Sequence, residues 1–300
     1  MNKKIKQHIK RGEIALVGLV VLWVMYSTVS HRISKPRENW DHNLRVLTLN
    51  TNGMMVGDKI SQKKQMLQYI NEQDADIVCL QEVLVYKNPK YLTLAALREE
   101  MKNYPYTYYD FKVYNSHRQF GNVVFSRYPL INKQTIRYES KSNISSQCDV
   151  VVGKDTLRLM VNHLQSYGLE RGDLQLDSLS VEGLKNSSLN QKLQKADKLR
   201  HKQARTVKRA IRKSPYPVIV VGDFNAIPLS YVYWKIKLGL HDCFTESSFG
   251  RIGNTYYRKG LGIRIDYILC SQKLHPITCE VHKQAKYSDH LPLTATIGWR

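Results

Sequence analysis

Little in this chain speaks for disulfides, zinc knuckles or repeats. Among 300 residues there are five cysteines, Cys79, Cys148, Cys243, Cys270 and Cys279. Their number is odd and no two form a C-x-x-C pair, which indicates neither a disulfide framework nor a zinc site. Ordinary buried thiols are expected; an oxidising compartment would allow one pair, such as Cys270 with Cys279, to close and leave at least one thiol free. Nine prolines and 16 glycines without a period exclude collagen-like and low-complexity architectures. Hydrophobic residues at 42% against charged residues at 24% exclude full-length disorder. The length suffices for one large buried core, and no internal repeat is visible.

Acidic side chains are the second shortage. Forty-six Lys and Arg face 25 Asp and Glu, a formal charge of +21 at pH 7. Such an excess points to a polyanionic neighbour: nucleic acid, an acidic bilayer surface or a phosphorylated ligand. Charge alone does not choose among them.

Only one long apolar run exists. From Ile14 to Ser30 seventeen residues carry no charge, behind Lys3, Lys4, Lys6, Lys10 and Arg11. At about 1.5 Å per residue a helix of this length approaches the hydrocarbon thickness of a bilayer, and one transmembrane helix is predicted. A cleavable signal peptide is the rival, because Thr28-Val29-Ser30 imitates a small-x-small site; a buried soluble helix is a third reading, disfavoured by the charged leader. Five basic residues precede the run and Arg32, Lys35 and Arg37 follow it, so the positive-inside rule places the N-terminus in the cytoplasm and the bulk of the chain on the non-cytoplasmic side. The sequence thus divides into a basic flank 1–13, the anchor or signal segment 14–30, a linker 31–42 and a domain 43–300. Without residues 1–37 the chain keeps 38 basic and 24 acidic side chains, net +14, so the excess belongs to the domain as well.

Within that domain short β-branched runs alternate with helical stretches: RVLTLNT, a polar helix around Lys63 to Asn71, DIVCLQEV, NVVFSRYPL, LRLMVNHLQ, PVIVVGDFN and IRIDYILCS. Several runs are apolar on both faces, as central strands covered by helices are. The polar stretch from about Ser166 to Asn190 reads as an insertion. After it Leu193, Ala196, Leu199, Gln203, Val207 and Ile211 recur at helical spacing and predict one amphipathic helix ending before Pro215. Between Lys185 and Lys213 lie eleven Lys and Arg and one acid, Asp197. A solvated face explains such a stripe without any ligand; contact with anionic lipid or nucleic acid is the other reading.

Polar residues at the ends of apolar strands carry the functional signal, because α/β sheets place ligands there. Asn50 ends RVLTLN, Glu82 ends DIVCLQE, His163 ends LRLMVNH, Asp223 and Asn225 end VIVVGDFN, Asp266 sits in RIDYILC, and Ser288-Asp289-His290 precedes LPLTATIGW. Singly each has a bland explanation: a turn cap, a solvated strand end, a core histidine. Their joint order, L-N-T-N-G, L-Q-E-V, G-N-V-V-F-S-R-Y-P, N-H-L, R-x-x-Q-A at Arg200 to Ala204, G-D-F-N, R-I-D-Y-I and S-D-H-L-P, resembles the endonuclease/exonuclease/phosphatase superfamily, the fold of pancreatic deoxyribonuclease. G-D-F-N combined with S-D-H is the specific pair. The resemblance covers residues 43 to 300 and implies an α/β fold, a four-layer α/β sandwich of two mixed β-sheets flanked by helices.

It also implies roles. Glu82, Asn50 and Asp289 would hold Mg²⁺ or Mn²⁺, hard ions that take oxygen ligands. Asp223 would orient and deprotonate the attacking water, and Asn225 would hydrogen-bond a phosphoryl oxygen. His163 and His290 would converge on the scissile phosphate, with Asp266 fixing the tautomer of His290 and favouring its imidazolium. Whether His290 or Asp223 is the base stays open. Arg127 would contact a flanking phosphate, a structural salt bridge being equally plausible. Thr51 and Asn52 stand where some nucleases carry a further acidic ligand, which suggests a single-metal site. No aromatic substrate wedge stands out among nineteen Tyr, and the insertion at 164 to 192 falls near the expected cleft rim.

The expected function is a membrane-tethered phosphoesterase acting on phosphodiesters, nuclease-type on the strength of the charge, with a phospholipid or sphingolipid headgroup or a small phosphomonoester as alternatives. A non-catalytic scaffold for an anionic ligand is the other class, but none of the acidic or His positions is lost. No protein partner is indicated, and a monomer is expected.

Overall fold

The computed structural model describes residues 40–54, 60–140, 142–168, 188–248, 253–258 and 261–300. The predicted flank, the apolar run 14–30, most of the linker and most of the insertion lie outside them. Among the described residues no helix is long and apolar enough to cross a membrane.

From His42 to Arg300 the chain forms one compact unit built on two six-stranded mixed sheets. The first contains β1 (His42–Asn50), β2 (Ile77–Tyr86), β3 (Tyr106–Asn115), β4 (Arg118–Ser126), β13 (His275–Val281) and β14 (Leu293–Trp299), in the order β13-β14-β1-β2-β4-β3. The second contains β5 (Leu130–Arg137), β6 (Ile144–Val152), β7 (Asp155–His163), β8 (Val218–Asp223), β9 (Leu240–Asp242) and β12 (Asp266–Ser271), in the order β5-β6-β7-β8-β12-β9. A two-stranded ribbon, β10 (Tyr256–Arg258) with β11 (Leu261–Ile263), stands apart from both. Each large sheet has one parallel pair at its centre, β1 with β2 and β7 with β8, and antiparallel neighbours around it.

The strands run apolar on both faces because both are covered. Leu44, Val46, Ile77 and Cys79 from the first sheet pack against Leu159, Val161, Ile219, Val221 and Ile268 from the second, forming the central core. On the outer face of the first sheet Leu47, Leu49, Val78 and Leu80 meet Met66, Leu67 and Ile70 of helix α1 (Ile60–Glu72), with α2 (Leu94–Glu100) alongside. Outside the second sheet Met160, Val220 and Leu269 meet Ala204, Val207 and Ile211 of α3 (Ser188–Lys213) and Val232, Tyr233 and Ile236 of α4 (Tyr231–Lys237). The order helix, sheet, sheet, helix is the predicted four-layer sandwich. A short helix α5 (Cys243–Ser247), capped by Asp242, closes one edge. The long basic helix is already helical at Ser188, ahead of its apolar period at Leu193, and stops before Pro215 as expected.

All five cysteines are buried and free. The pair Cys270 and Cys279 is not closed; Cys270 Sγ instead lies 4.0 Å from Cys243 Sγ.

Candidate functional site

Strand periodicity decides which side chains enter the seam between the sheets. Side chains alternate with period two, so Leu44 and Val46 in the central core put Thr48 and Asn50 on the same face. The same count from Leu159 and Val161 leads to His163, from Ile219 and Val221 to Asp223, and from Ile268 back to Asp266. Each of these polar residues sits at the end of its strand, where the apolar filling stops. In register, Asp223 lies opposite both His163 and Asp266.

Glu82 arrives by a different device. The pairing of β2 with β4 shifts between Leu80 and Val83, so that Gln81 and Glu82 stand against the single residue Asn122. Such a bulge re-aims one side chain, and Glu82 takes the left-handed conformation at φ 54°. Gly222, at φ 114°, lets β8 approach β7 so closely that a Cβ there would lie 2.2 Å from the Asn162 carbonyl oxygen. Asn52 and Asn225 also have positive φ, so strained backbone clusters around one place.

The side chains interlock. Asn50 Nδ2 donates to Glu82 Oε1 at 3.0 Å and to Asp223 Oδ2 at 2.9 Å, while its Oδ1 accepts from the Asn52 backbone N–H at 2.9 Å. Asn50 therefore bridges two carboxylates and does not turn its oxygen towards the cavity. His163 Nε2 lies 3.0 Å from Glu82 Oε1. His290 Nδ1 lies 2.9 Å from Asp266 Oδ2, and its Nε2 3.9 Å from Asp223 Oδ2. Asn225 donates from its backbone N–H to Asp223 Oδ1 at 2.7 Å, and from Nδ2 to Asp223 Oδ2 and the Leu164 carbonyl, each at 3.0 Å. Its amide thus orients Asp223; reaching a phosphoryl oxygen would require giving up one of these bonds.

Burial and charge separate the acids. Burial opposes ionisation of Glu82, but His163 beside it and the Asn50 hydrogen bond outweigh that and hold its carboxyl down at about 2. Asp223 is pushed up to about 6, chiefly by burial and further by Asp266, against the pull of His290 and His163. Burial works against charge on His290, yet Asp266 and Asp223 raise it to about 10. His163 is raised too: burial resists, and Glu82 prevails. One carboxylate stays ionised, another is poised near neutrality, and an imidazolium stands beside it.

Glu82, Asp223, Asn225, Asp289 and His290 line one cavity of about 720 Å³, whose walls include Ala226, Ile227, Val232, Ile263 and Ile265. Glu82, His163 and Asp223 each offer one ligand atom within 4.8 Å of the others, as do Asp223, Asp266 and His290. With both rings favoured in their protonated form, the carboxylate oxygens are the available hard donors, and Asp266 Oδ1 is buried with no hydrogen-bond partner. Acidic oxygens so placed fit a divalent cation that takes oxygen ligands. Asp289 lines the cavity without joining either group; its Oδ1 accepts from Ser288 Oγ at 3.3 Å.

Arg127 is not part of this site. Ser126 pairs with Ile77 at the start of β2, about 3.3 Å per residue away from Glu82 over five residues. There the Arg127 guanidinium is paired with Asp74 and Asp76, the salt-bridge alternative rather than a phosphate contact. The R-x-x-Q-A motif has a structural explanation: Arg200, 1% exposed, donates to the carbonyls of Gln165 and Asn225 and to Asp197, and Gln203 Oε1 accepts from the Gln165 N–H, fixing the cavity wall.

Three further residues support the site, of which Asn143 and Tyr256 carry no strand-end signal. Asn143 Nδ2 donates to the Leu164 carbonyl at 2.9 Å and sits 3.4 Å from His163 Nε2. Tyr256 packs on the His290 ring at a centroid distance of 4.8 Å. Ser288 Oγ donates to the Asn50 carbonyl at 2.9 Å, tying the β13–β14 loop to the end of β1.

Comparison with known proteins bears on the fold and the family. No curated protein sequence matches the chain. Among solved structures, an endonuclease/exonuclease/phosphatase from Beutenbergia cavernae DSM 12333 aligns with a TM-score of 0.68 at 18% identity, over 86% of this chain and 72% of that one. D. rerio TDP2 complexed with single strand DNA product gives 0.61 at 16% identity, over 86% and 100%. Truncated Caenorhabditis elegans TDP2 gives 0.61 at 15% identity, over 87% and 100%. At such identities these likenesses speak for the fold. The sequence pattern of the Endonuclease/Exonuclease/phosphatase family matches residues 47–290, from the end of β1 to His290, and the chain belongs to that family.

Proposed function

We propose that the protein is a divalent-metal-dependent phosphoesterase that hydrolyses phosphodiester bonds by in-line attack of water, nuclease-type in its substrate preference. The observation that carries this reading is that Glu82, Asp223 and His290, brought together from both sheets and the loop before β14, line one cavity, with His163 against Glu82 and Asp266 against His290 behind them. Asp223, held by Asn50 and Asn225 and poised near neutrality, orients the water and takes its proton. His290, kept as imidazolium by Asp266, places positive charge where the phosphoryl oxygens gain negative charge. His163, buried beside Glu82 with Nε2 on its carboxylate, adds a second positive charge behind the cavity. Glu82 and Asp289, both lining the cavity, would hold a Mg²⁺ or Mn²⁺ ion, with Asn50 steadying Glu82 from behind, and the ion would neutralise phosphoryl charge when bound.

The net charge of +14 outside residues 1–37 supports a polyanionic substrate. TDP2 of D. rerio, whose structure contains a single strand DNA product, is consistent with nucleic acid. A lipid-headgroup phosphodiester is the second reading, favoured by the apolar walls Ile227, Val232 and Ile263 of the cavity. The run 14–30 would tether the monomeric enzyme with its catalytic unit on the non-cytoplasmic side, which protease accessibility of intact cells tests.

The full chain in detergent, given Mg²⁺ and a panel of oligonucleotide, lipid and chromogenic phosphodiesters, is expected to turn over at least one of them and to stop in EDTA. Asp223→Ala should lower the rate by about 10²-fold or more. Equal rates for the two proteins, or binding without turnover, would overturn the reading.

A further inference from the structure

Helix α4 is apolar on both sides. Val232, Tyr233 and Ile236 face the core, and the opposite side, where a surface helix normally carries charge, presents Tyr231, Trp234 and, one turn on at the cap, Leu238. Trp234 is 54% exposed, Leu238 67%, and Leu229 in the preceding loop 86%. Exposed Ile227 continues the patch to the cavity, which it lines together with Ser230. So many exposed apolar side chains on one short helix and the loop before it mark a contact site.

Its surroundings specify the partner. Helix α3 packs against α4: the His201 ring lies 4.6 Å from that of Tyr231, and Lys208 Nζ donates to the carbonyls of Ile236 and Leu238. At spacings of four, three and four from His201 come Arg205, Lys208 and Arg212, which therefore share the stripe nearest α4, and α4 adds Lys235 and Lys237. The only acid in either helix is Asp197, which is paired with Arg200. Aliphatic and indole side chains beside a cationic stripe match the boundary of an anionic bilayer, where apolar groups enter the acyl region and Lys and Arg meet headgroup charge. Nucleic acid would use the cations and the rings of Tyr231 and Trp234, but it has no use for Leu229 and Leu238, the most exposed apolar side chains of the patch.

We propose that the catalytic unit docks on an anionic lipid bilayer through Leu229, Trp234 and Leu238, with the stripe of α3 on the headgroups and the cavity mouth at their level. The docking surface stands by itself; what it delivers to the cavity rests on the proposed phosphoesterase reading.

The test reads depth at this surface alone, so that the apolar run at 14–30 cannot answer for it. Because the five native cysteines are buried, a nitroxide can be attached to the full chain at Leu229→Cys or Leu238→Cys, with Lys102→Cys on α2's flank as control. Vesicles of phosphatidylcholine with 30% phosphatidylglycerol, about the charge of an acidic membrane, are expected to move the labels at 229 and 238 about 5–10 Å into the boundary, seen as higher oxygen and lower nickel-chelate accessibility, with the control unchanged. Replacing Arg205 and Arg212 by Glu should weaken this insertion about thirtyfold or more. Labels that remain water-accessible while the chain is vesicle-bound would overturn the proposal. So would equal insertion into pure phosphatidylcholine, or protection by an oligonucleotide and not by vesicles. A soluble chromogenic diester assayed on the same labelled proteins keeps failure of docking distinct from failure of catalysis.

Discussion

Nδ1 of His290 lies 2.9 Å from Oδ2 of Asp266, both side chains buried, one at the start of β12 and the other in the loop before β14. The contact fixes which ring nitrogen faces the cavity and favours the charged ring. Asp266→Asn keeps the shape and loses the charge. We expect kcat to fall about 10²-fold or more with KM little changed, and Asp266→Glu to recover part of the loss. Steady-state kinetics on a diester measures both.

Glu82 is held ionised at the cavity wall, so a divalent cation should stabilise the fold whether or not substrate is present. Saturating Mg²⁺ should raise the melting temperature, by an amount equivalent to about 2.7 kcal/mol at one hundred times Kd. EDTA should reverse the shift and Glu82→Gln should abolish most of it. A melt of the variant that responds to Mg²⁺ like the wild type would move the metal elsewhere.

Gly222→Ala places a methyl 2.2 Å from the Asn162 carbonyl oxygen at a φ of 114°. Opening the β7–β8 pair to admit it should cost about 3 kcal/mol or more and displace Asp223. Chemical denaturation reads the first effect and turnover the second.

Arg127→Ala removes a surface ion pair with Asp74 and Asp76 at the far end of the first sheet. Surface pairs contribute little. The melting temperature should change slightly and kcat/KM should not change at all; a large kinetic loss would return this arginine to the substrate path.

Ionic strength separates polyanionic from small substrates. With an oligonucleotide bound through six or more phosphates, affinity should fall about 10³-fold between 50 and 200 mM salt, whereas a small diester should hardly respond. Initial rates below KM show which holds.

The strand ends were legible because period two is a local property: once Val46, Val161 and Val221 face the core, Asn50, His163 and Asp223 must share their face. The family motifs supplied the roles. What the sequence concealed is what depends on distant chain. The salt bridge of Arg127 needs Asp74 and Asp76 fifty residues earlier. Asn143 reaches His163 only because β6 and β7 pair. The bulge at Gln81 and Glu82 exists only against β4. The clasp that Asn50 forms between two acids was not legible either, since it is set by the approach of Glu82 and Asp223 from different sheets.

The seam has a consequence for how the protein would fail. Asn50 and Glu82 ride on one sheet and His163, Asp223 and Asp266 on the other, so no half of the sandwich holds a working set. A slight parting of the layers under heat or denaturant dismantles the chemistry while every ladder stays intact, and turnover should vanish before the far-ultraviolet dichroism changes.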